Sequence, residues 1–577
     1  MLCRYLFHDL RRKFHHCGHE GALNSILQNN SYTPRFLQLL KLRGLEEPKA
    51  VEAFLKADLP DLTDPFRMKD MAEACALVQK TAAQGGRVMI HGDYDVDGVT
   101  GASITAKTLR LLGVEHRVFL PNRSEDGYGV SERAIREGAA AGEKLLITVD
   151  CGVAAGSKIA LARRLGMSVI IIDHHRIPAE GLPEADAILN PLRSDCSYPF
   201  KELSAGGLAF KFSQALLGVR AYQFLDLAAV STVCDVAPLQ DENRVIVRKG
   251  LKLLAQRTSL GFKALCEVAK INGPEMNVGH IGFAFGPRIN AAGRMSSPEI
   301  ALRLLMSESP REAESLAKVL DEENKARQRE ERQTVKDAVR EVERTMNFSR
   351  DRVIVVGSEG WHQGVIGIVA SRLVDRFHRP AIVIAFENGK GKGSGRSIKG
   401  FNLYEALSHS QDLFLEFGGH AQAAGLSMMD SNLGAFRARI NDYAREKMNP
   451  ADLIKTVPVD LQLQLEDLTS PFVQELKMME PHGMGNPRPV FRTEALQLKT
   501  KPVRLSPMTH QFYVTDGVFV YEALWTEKSP HESPESESTL RTLQQGKTFD
   551  LSYSLKIKSW EGRERVVLEA KEIKPQF

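Results

Sequence analysis

At 577 residues the chain is too long for a single hydrophobic core, so three or four domains are expected. Hydrophobic residues at 43% and charged residues at 26% are ordinary for a soluble globular protein. The net charge of +4 is too small to point to nucleic acid by itself, so any basic surface must be local. Seven cysteines (Cys3, Cys17, Cys75, Cys151, Cys196, Cys234, Cys266) are scattered, odd in number and never in Cys-x-x-Cys spacing. That pattern favours reduced thiols and a cytoplasmic location over a disulfide framework or a zinc ribbon. No apolar run reaches transmembrane length and no signal-peptide core is present, so no membrane association is expected.

The first residues carry Cys3, His8, His15, His16, Cys17 and His19, all zinc-ligand types. Their spacing matches no zinc pattern and Arg11, Arg12 and Lys13 lie among them, so residues 1–34 are expected to be a disordered extension or the product of an early start codon. Arg35 to Met71 reads as short helices ending at Pro60 and Pro65.

Val88-Met89-Ile90 then reads as a buried strand that breaks at Gly92 into Asp93-Tyr94-Asp95-Val96-Asp97-Gly98. Three carboxylates so close together repel unless a cation neutralises them, and hard oxygen ligands suit Mg²⁺ or Mn²⁺. An EF-hand also opens Asp-x-Asp-x-Asp-Gly, but its twelfth position, where a bidentate Glu belongs, is Ile104 here. A helix cap for the stretch starting near Thr100 is the plain alternative.

Further apolar runs at 117–120, 145–149, 169–172 and 185–189 alternate with helical stretches at 100–112, 131–141 and 157–165. This alternation predicts a mostly parallel sheet covered by helices. In such a sheet the carboxyl ends of the strands share one edge, where ligands bind. The residues delivered there are Asp93, Asp95 and Asp97, then Pro121-Asn122-Arg123, then Asp150-Cys151-Gly152, then Asp173-His174-His175-Arg176. Two divalent metals sharing a carboxylate, with a phosphate in front and Arg as charge partner, would account for the set.

Asp235 ends an apolar helix and is either a further ligand or a buried hydrogen-bond acceptor. Phe285 to Arg294 reads as a Gly/Pro-flanked loop with two arginines, for phosphate recognition or a simple turn. Residues 311–345 lack Gly and Pro and read as one long, largely solvated spacer helix. A second α/β domain begins at Val353 and carries Lys390-Gly391-Lys392-Gly393-Ser394-Gly395-Arg396-Ser397 and Gly418-Gly419-His420. Those Gly-rich runs read as phosphate-approaching loops or tight turns. From Pro458 five short strands suggest a small barrel, plausibly an OB-fold. Its Phe512, Tyr513, Phe519, Tyr521, Tyr553 and Trp560 are base-stacking candidates or core residues, and 529–538 reads as a floppy loop.

Taken together these motifs, with Pro287-Arg288-Ile289-Asn290, resemble the DHH phosphoesterase superfamily and, within it, the bacterial RecJ exonuclease family, over nearly the whole chain from about Arg35. The resemblance implies a DHH catalytic domain (35–310), a connecting helix (311–345), a DHH-associated domain (346–455) and a C-terminal OB-fold (456–577). It implies 5′→3′ degradation of single-stranded DNA to mononucleotides in repair and recombination, with two Mn²⁺ or Mg²⁺ ions as cofactor. Carried over by motif, the metal shell is Asp93, Asp95, Asp97, Asp150 (the bridge), His174 and Asp235. His175 is a phosphate partner or general acid, and Arg288 and His420 line the cleft. Arg123, Ser394 and Arg396 form a pocket for the terminal 5′ phosphate. His91 is left out as a packed strand-end imidazole. A single-stranded-DNA-binding protein and a RecQ-type helicase are partners implied by the family alone. A DHH phosphatase or oligonucleotide-trimming enzyme would lack the barrel, and a non-catalytic replication scaffold would have lost metal ligands.

Overall fold

The computed structural model describes residues 32–122, 126, 129–527, 539, 543, 548–560 and 563–576. The expectations for the N-terminal extension, for Arg123, for the 529–538 loop and for the Trp560 side chain fall outside the described residues. The chain forms two compact units, one of residues 63–456 with 483–485, the other of residues 1–62, 457–482 and 486–577.

In the first unit the five apolar runs become β1 (Arg87–Gly92), β2 (His116–Phe119), β3 (Glu143–Val149), β4 (Ser168–Ile172) and β5 (Ala187–Leu189). They align as β2-β1-β3-β4-β5, parallel throughout. Near-continuous Val, Ile and Leu in β3 and β4 suit strands buried on both faces. The chain runs out from β1 to β2 and returns across to β3, so the order reverses between β1 and β3. A crevice opens at the carboxyl ends of strands at such a reversal.

Helices α1 (Met71–Ala83), α2 (Val96–Leu111), α3 (Glu132–Ala140) and α4 (Gly156–Arg164) flank the sheet. Ile135 and Ile159, from α3 and α4, share a core with Met89, Leu146, Val169 and Ile171. Beyond β5 come α5 (Ala205–Leu217), α6 (Leu225–Cys234) and α7 (Gly286–Met295). The last is a correction: the Phe285–Arg294 stretch is helical, with Pro287 accommodated by a widened π turn over Ile281–Phe285 just before it.

The connecting helix α8 runs Pro310–Thr345. Leu316, Leu320, Val339 and Val342 are buried on one side of it, and Asp321, Asn324, Arg327, Glu331 and Thr334 are buried too. Arg327 donates to Glu331 at 2.7 Å and to Asn324 at 3.0 Å. The Arg288 Nε lies 2.9 Å from Asp321, and the Arg372 Nε lies 3.0 Å from Glu331. The spacer is therefore tied by charged hydrogen bonds to both α/β domains.

The second sheet contains β6 (Ile354–Glu359), β7 (Ala381–Glu387), β8 (Lys390–Arg396), β9 (Phe414–Gly419) and β10 (Ala423–Met429) in the order β6-β7-β8-β10-β9. Only β6–β7 is parallel. The Lys390–Arg396 run is a strand and not a phosphate loop. Its glycines alternate inward, where a Cβ on Gly391, Gly393 or Gly395 would strike Phe386, Leu426 or Leu403 within 2.8 Å. Lys390, Lys392, Ser394 and Arg396 occupy the other face by the period-two rule. α9 (Ile366–Phe377) packs on β7 and β8.

In the second unit β12 (Phe491–Ser506), β13 (Thr509–Thr515), β14 (Val520–Thr526), β15 (Phe549–Trp560) and β16 (Arg563–Pro575) close into a ring through β12–β15 pairing, with β11 (Leu461–Gln462) on the outside of β12. Five strands with a parallel β14–β16 contact make the expected barrel. Phe512 and Tyr553 are wholly buried core residues, Tyr553 meeting Thr493 Oγ1 at 2.9 Å, so neither is available to a base. The helices Pro34–Leu42 and Pro48–Lys56 join this unit and not the first α/β domain. Phe36, Leu39, Leu40, Val51 and Leu55 share the core of Phe491, Phe512 and Phe549, because those apolar faces have their partners there.

Candidate metal centre

Asp93, Asp95 and Asp97 leave β1 and enter α2 as one turn. Asp95 caps α2, its Oδ1 accepting from the N–H groups of Asp97 (2.9 Å) and Gly98 (3.2 Å). This cap starts α2 at Val96, four residues before the expected start. The neighbouring Val96 N–H is taken by Asn290 Oδ1 of α7 at 3.2 Å. Asp97, 2% exposed, accepts from Ala205 N–H and Gly206 N–H, both at 2.8 Å, at the N-terminus of α5, and from the Ser231 hydroxyl at 2.5 Å. The positive end of α5 and three donors thus hold one anion in place.

Asp150 follows β3 at φ +64, the left-handed region that Asp tolerates better than most residues, and is 3% exposed. Its Oδ1 lies 3.3 Å from His174 Nε2. The same nitrogen is 3.7 Å from Asp97, and His174 Nδ1 is 3.7 Å from Asp235 at the end of α6. His175 Nδ1 lies 2.7 Å from Asp173, whose second oxygen accepts the Val153 N–H at 3.0 Å.

Three groups of ligand atoms therefore lie within 4.8 Å of one another: Asp93, Asp95 and Asp150; Asp97, His174 and Asp235; Asp150, His174 and His175. Asp150 belongs to two of them. Burial, followed by Asp97, Asp95, Asp93 and Asp173, pushes the Asp150 carboxyl well above its ordinary range. Burial and then Asp95 raise Asp93 to about 7, and burial and then Asp97 raise Asp235 to about 8. Asp93 Oδ1 and Asp150 Oδ1 are buried with no hydrogen-bond partner among the described residues. Such orphaned oxygens in a crowded anionic cluster fit divalent cations with hard oxygen and imidazole ligands.

Burial alone would lower the His175 imidazole, but its hydrogen bond and charge contact with Asp173 raise it to about 9. His91 is different: it is buried, its Nε2 accepts the Ser131 N–H at 2.9 Å, and burial lowers it to about 4. It is the packed strand-end imidazole expected.

On the second α/β domain Arg396 donates to Ser394 Oγ at 3.1 Å and to Gly395 O at 2.8 Å. A Cβ added to Gly367, in the first turn of α9, would lie 3.0 Å from Ser394 Oγ and 3.2 Å from Arg396, so both side chains sit against that helix N-terminus. The described residues give Arg396 no carboxylate, and burial pulls its guanidinium below its ordinary value. Arg294 of α7 donates to Gly364 O at 3.0 Å just before α9, and Gly293 packs on Tyr94 of the acidic loop. Arg288 is held by Asp321 and Ala284 O, and His420 is exposed.

Family models for the DHH family, N-terminal domain, the DHHA1 domain and the RecJ OB domain match residues 87–232, 350–446 and 459–572. A single-stranded-DNA-specific exonuclease RecJ of Bacillus subtilis (strain 168) is 42% identical over 82% of this chain, which spans 60% of that protein's length. The protein of the same name from Dickeya dadantii (strain 3937) is 35% identical, with 79% of this chain and 82% of the relative covered. The chain belongs to the RecJ family. Crystal structures of RecJ from Thermus thermophilus in complex with Mn²⁺ and with Mg²⁺ superpose at TM-scores of 0.80 and 0.75 and 27% identity, covering 96% of this chain and 78% and 77% of theirs.

Within this RecJ chain the structure brings together Asp93, Asp95, Asp97, Asp150, His174, His175 and Asp235, and it sets Ser394 beside Arg396. Of the two readings for Asp235, the half-buried carboxylate groups with Asp97 and His174 as a ligand would. Sequence reasoning missed Ser231, Asn290 and the orienting part of Asp173. Ser231 was within reach, one helical turn before Asp235 on α6.

Proposed function

We propose that this chain hydrolyses single-stranded DNA from the 5′ end, releasing 5′-mononucleotides, with Mn²⁺ or Mg²⁺ as its cofactor and a part in DNA repair and recombination. One observation carries the reading: at the carboxyl edge of the parallel sheet the Asp93–Asp95–Asp150 and Asp97–His174–Asp235 groups adjoin, linked by the group of Asp150, His174 and His175, in a chain of the RecJ family. Asp93, Asp95 and Asp150 would hold one ion, and Asp97, His174 and Asp235 the other, with Asp150 between them. Ions held by these residues would activate water and neutralise charge on the phosphate. Asp97 stays fixed by its three donors while substrate exchanges. His175, kept protonated by Asp173, donates a hydrogen bond or proton to the leaving side. Arg123, Ser394 and Arg396 take the terminal phosphate and set the direction of cutting, while Arg288 and His420 line the path of the strand.

The barrel and the names of the relatives support single-stranded DNA as the substrate. A single-stranded-DNA-binding protein and a RecQ-type helicase enter the proposal as partners on family resemblance alone. The five described cysteines are free thiols and no described helix is long and apolar enough to cross a membrane, which supports the cytoplasm as the place of action.

The test is purified protein with Mn²⁺ on end-labelled single strands of DNA and RNA. Wild type should release 5′-mononucleotides from DNA, and Asp150→Ala should abolish release while binding persists. Activity of Asp150→Ala within about tenfold of wild type would sink the two-metal assignment.

A further inference from the structure

Phe283 is 86% exposed, more than any other exposed large hydrophobic side chain among the described residues. Its presentation follows from the sequence. In a regular α-helix the ring of Pro287 would strike the carbonyl of residue 283, four positions earlier. The helical run Val278–Met295 answers by widening to a π turn over Ile281–Phe285. Ile281 and Phe285 are wholly buried, and Phe285 stacks on Phe262 with ring centroids 5.5 Å apart. The turn is thus anchored at both ends, and Phe283 is held outward on a rigid base. Gly279 leaves room beside it, since a Cβ there would reach no nearer than 3.9 Å to the ring.

This π turn packs against the end of α6 that carries Asp235. A Cβ on Gly282 would lie 3.9 Å from Val233, and one on Gly286 would lie 2.7 Å from Cys234 Sγ. Val233 and Cys234 lead directly into Asp235. Beyond Asp235, Val236 is held at φ +59 and is 58% exposed, an uncommon conformation for a β-branched residue and more apolar surface on the adjoining segment. π turns of this kind gather at functional sites.

A nuclease without sequence preference must hold its strand by features that all nucleotides share. The metals and arginines take the phosphates. The other shared feature is the π-face of the base. We propose that Phe283 is a base-stacking platform that takes a nucleobase of the single strand beside the metal centre. The inference rests on the proposed nuclease function and adds how that site holds the base. Any of the four bases fits, so the contact adds affinity without adding a sequence preference.

The test measures kcat and KM of the full chain in Mn²⁺, on an unmodified single strand and on strands with one abasic nucleotide scanned from the 5′ end. Phe283→Ala removes an exposed ring, and far-ultraviolet circular dichroism checks its fold. It should raise KM about tenfold, with kcat much less affected, and Phe283→Trp should restore KM. At one position an abasic nucleotide should raise the wild-type KM by the same factor and leave that of Phe283→Ala unchanged. If wild type cuts the strand but Phe283→Ala keeps its KM or shares its abasic profile, the platform is refuted and the nuclease reading stands. A wild type inert on the unmodified strand overturns both.

Discussion

Asp173 Oδ1 accepts from both the ring and the backbone of His175, at 2.7 Å from Nδ1 and 3.0 Å from the N–H. This double contact fixes the imidazole's orientation and its charge. Burial works to lower the ring's pKa, and the contacts with Asp173, the largest opposing cause, help raise it to about 9. Asp173→Asn should keep the hydrogen-bond acceptor and lose the charge. A histidine that acts protonated loses activity as pH rises through its pKa. The alkaline limb of kcat/KM should therefore move about 1–3 pH units lower in the variant. An alkaline limb that does not move would remove His175 from the protonated step.

The acidic cluster makes the metal-free fold pH-sensitive in a defined direction. Folded, Asp93 titrates at about 7 and Asp235 at about 8; unfolded, both titrate at about 4. Between those values the folded, metal-free chain binds more protons than the unfolded one, so stability falls as pH rises. Bound Mn²⁺ takes the place of those protons and should flatten the slope. Melting temperatures from pH 5 to 8, in chelator and in Mn²⁺, test this. Asp93→Asn should show a shallower slope in chelator. A metal-free melting temperature that rises steadily to pH 8 would contradict the burial of these charges.

Much of the sheet and most of the candidate acidic cluster were legible because each is local. An apolar run and the carboxylate after it are adjacent in sequence, as with Val149 and Asp150. What holds the ligands is not local. The partners of Asp97 come from α5 and α6, and Asn290 reaches Val96 from α7. No pattern within β1 or α2 announces them. Two errors came from reading Gly and Pro as loop signals. In β8 the glycines are spaced by two and allow close packing on Leu403 and Leu426. Pro287 follows a widened turn that makes room for its ring inside a helical run. The polar inward face of α8 was hidden because charge was read as solvent exposure, whereas Arg327 and Glu331 are buried as a pair.

Gly98 shows how little room the acidic turn leaves. A Cβ there would lie 2.5 Å from both the N and the O of Asp93, and backbone atoms cannot swing aside as a side chain can. Gly98→Ala should displace the Asp93 main chain and lower Mn²⁺ affinity about 10–100-fold, as changes just behind metal ligands do. Gly156, whose Cβ would meet nothing within 4 Å, is the control, and Gly156→Ala should bind as wild type does. Titration calorimetry on both variants decides it. Equal affinities would mean that the acidic turn is not a metal site.

The proposed direction of cutting would need a separate reader, because every phosphodiester would look alike to the metals. A terminal 5′ monophosphate differs in its extra charge and its additional free oxygen. Arg396 is suited to read both: half-buried, without a carboxylate partner among the described residues, beside the Ser394 hydroxyl and the first turn of α9. A guanidinium in that setting gains a charged hydrogen-bond partner when a phosphate arrives, and the helix N-terminus adds to the attraction. Arg396→Ala should therefore reduce the preference for 5′-phosphorylated over 5′-hydroxyl strands, with a loss of about 1–3 kcal/mol in transition-state binding for the phosphorylated strand. Rates on the 5′-hydroxyl strand should change far less, since the metal ligands are untouched. The comparison is of kcat/KM on matched strands, wild type against Arg396→Ala. If wild type prefers the phosphorylated strand and the variant retains that preference in full, the end is read elsewhere, and Arg396 serves only to tie β8 to α9.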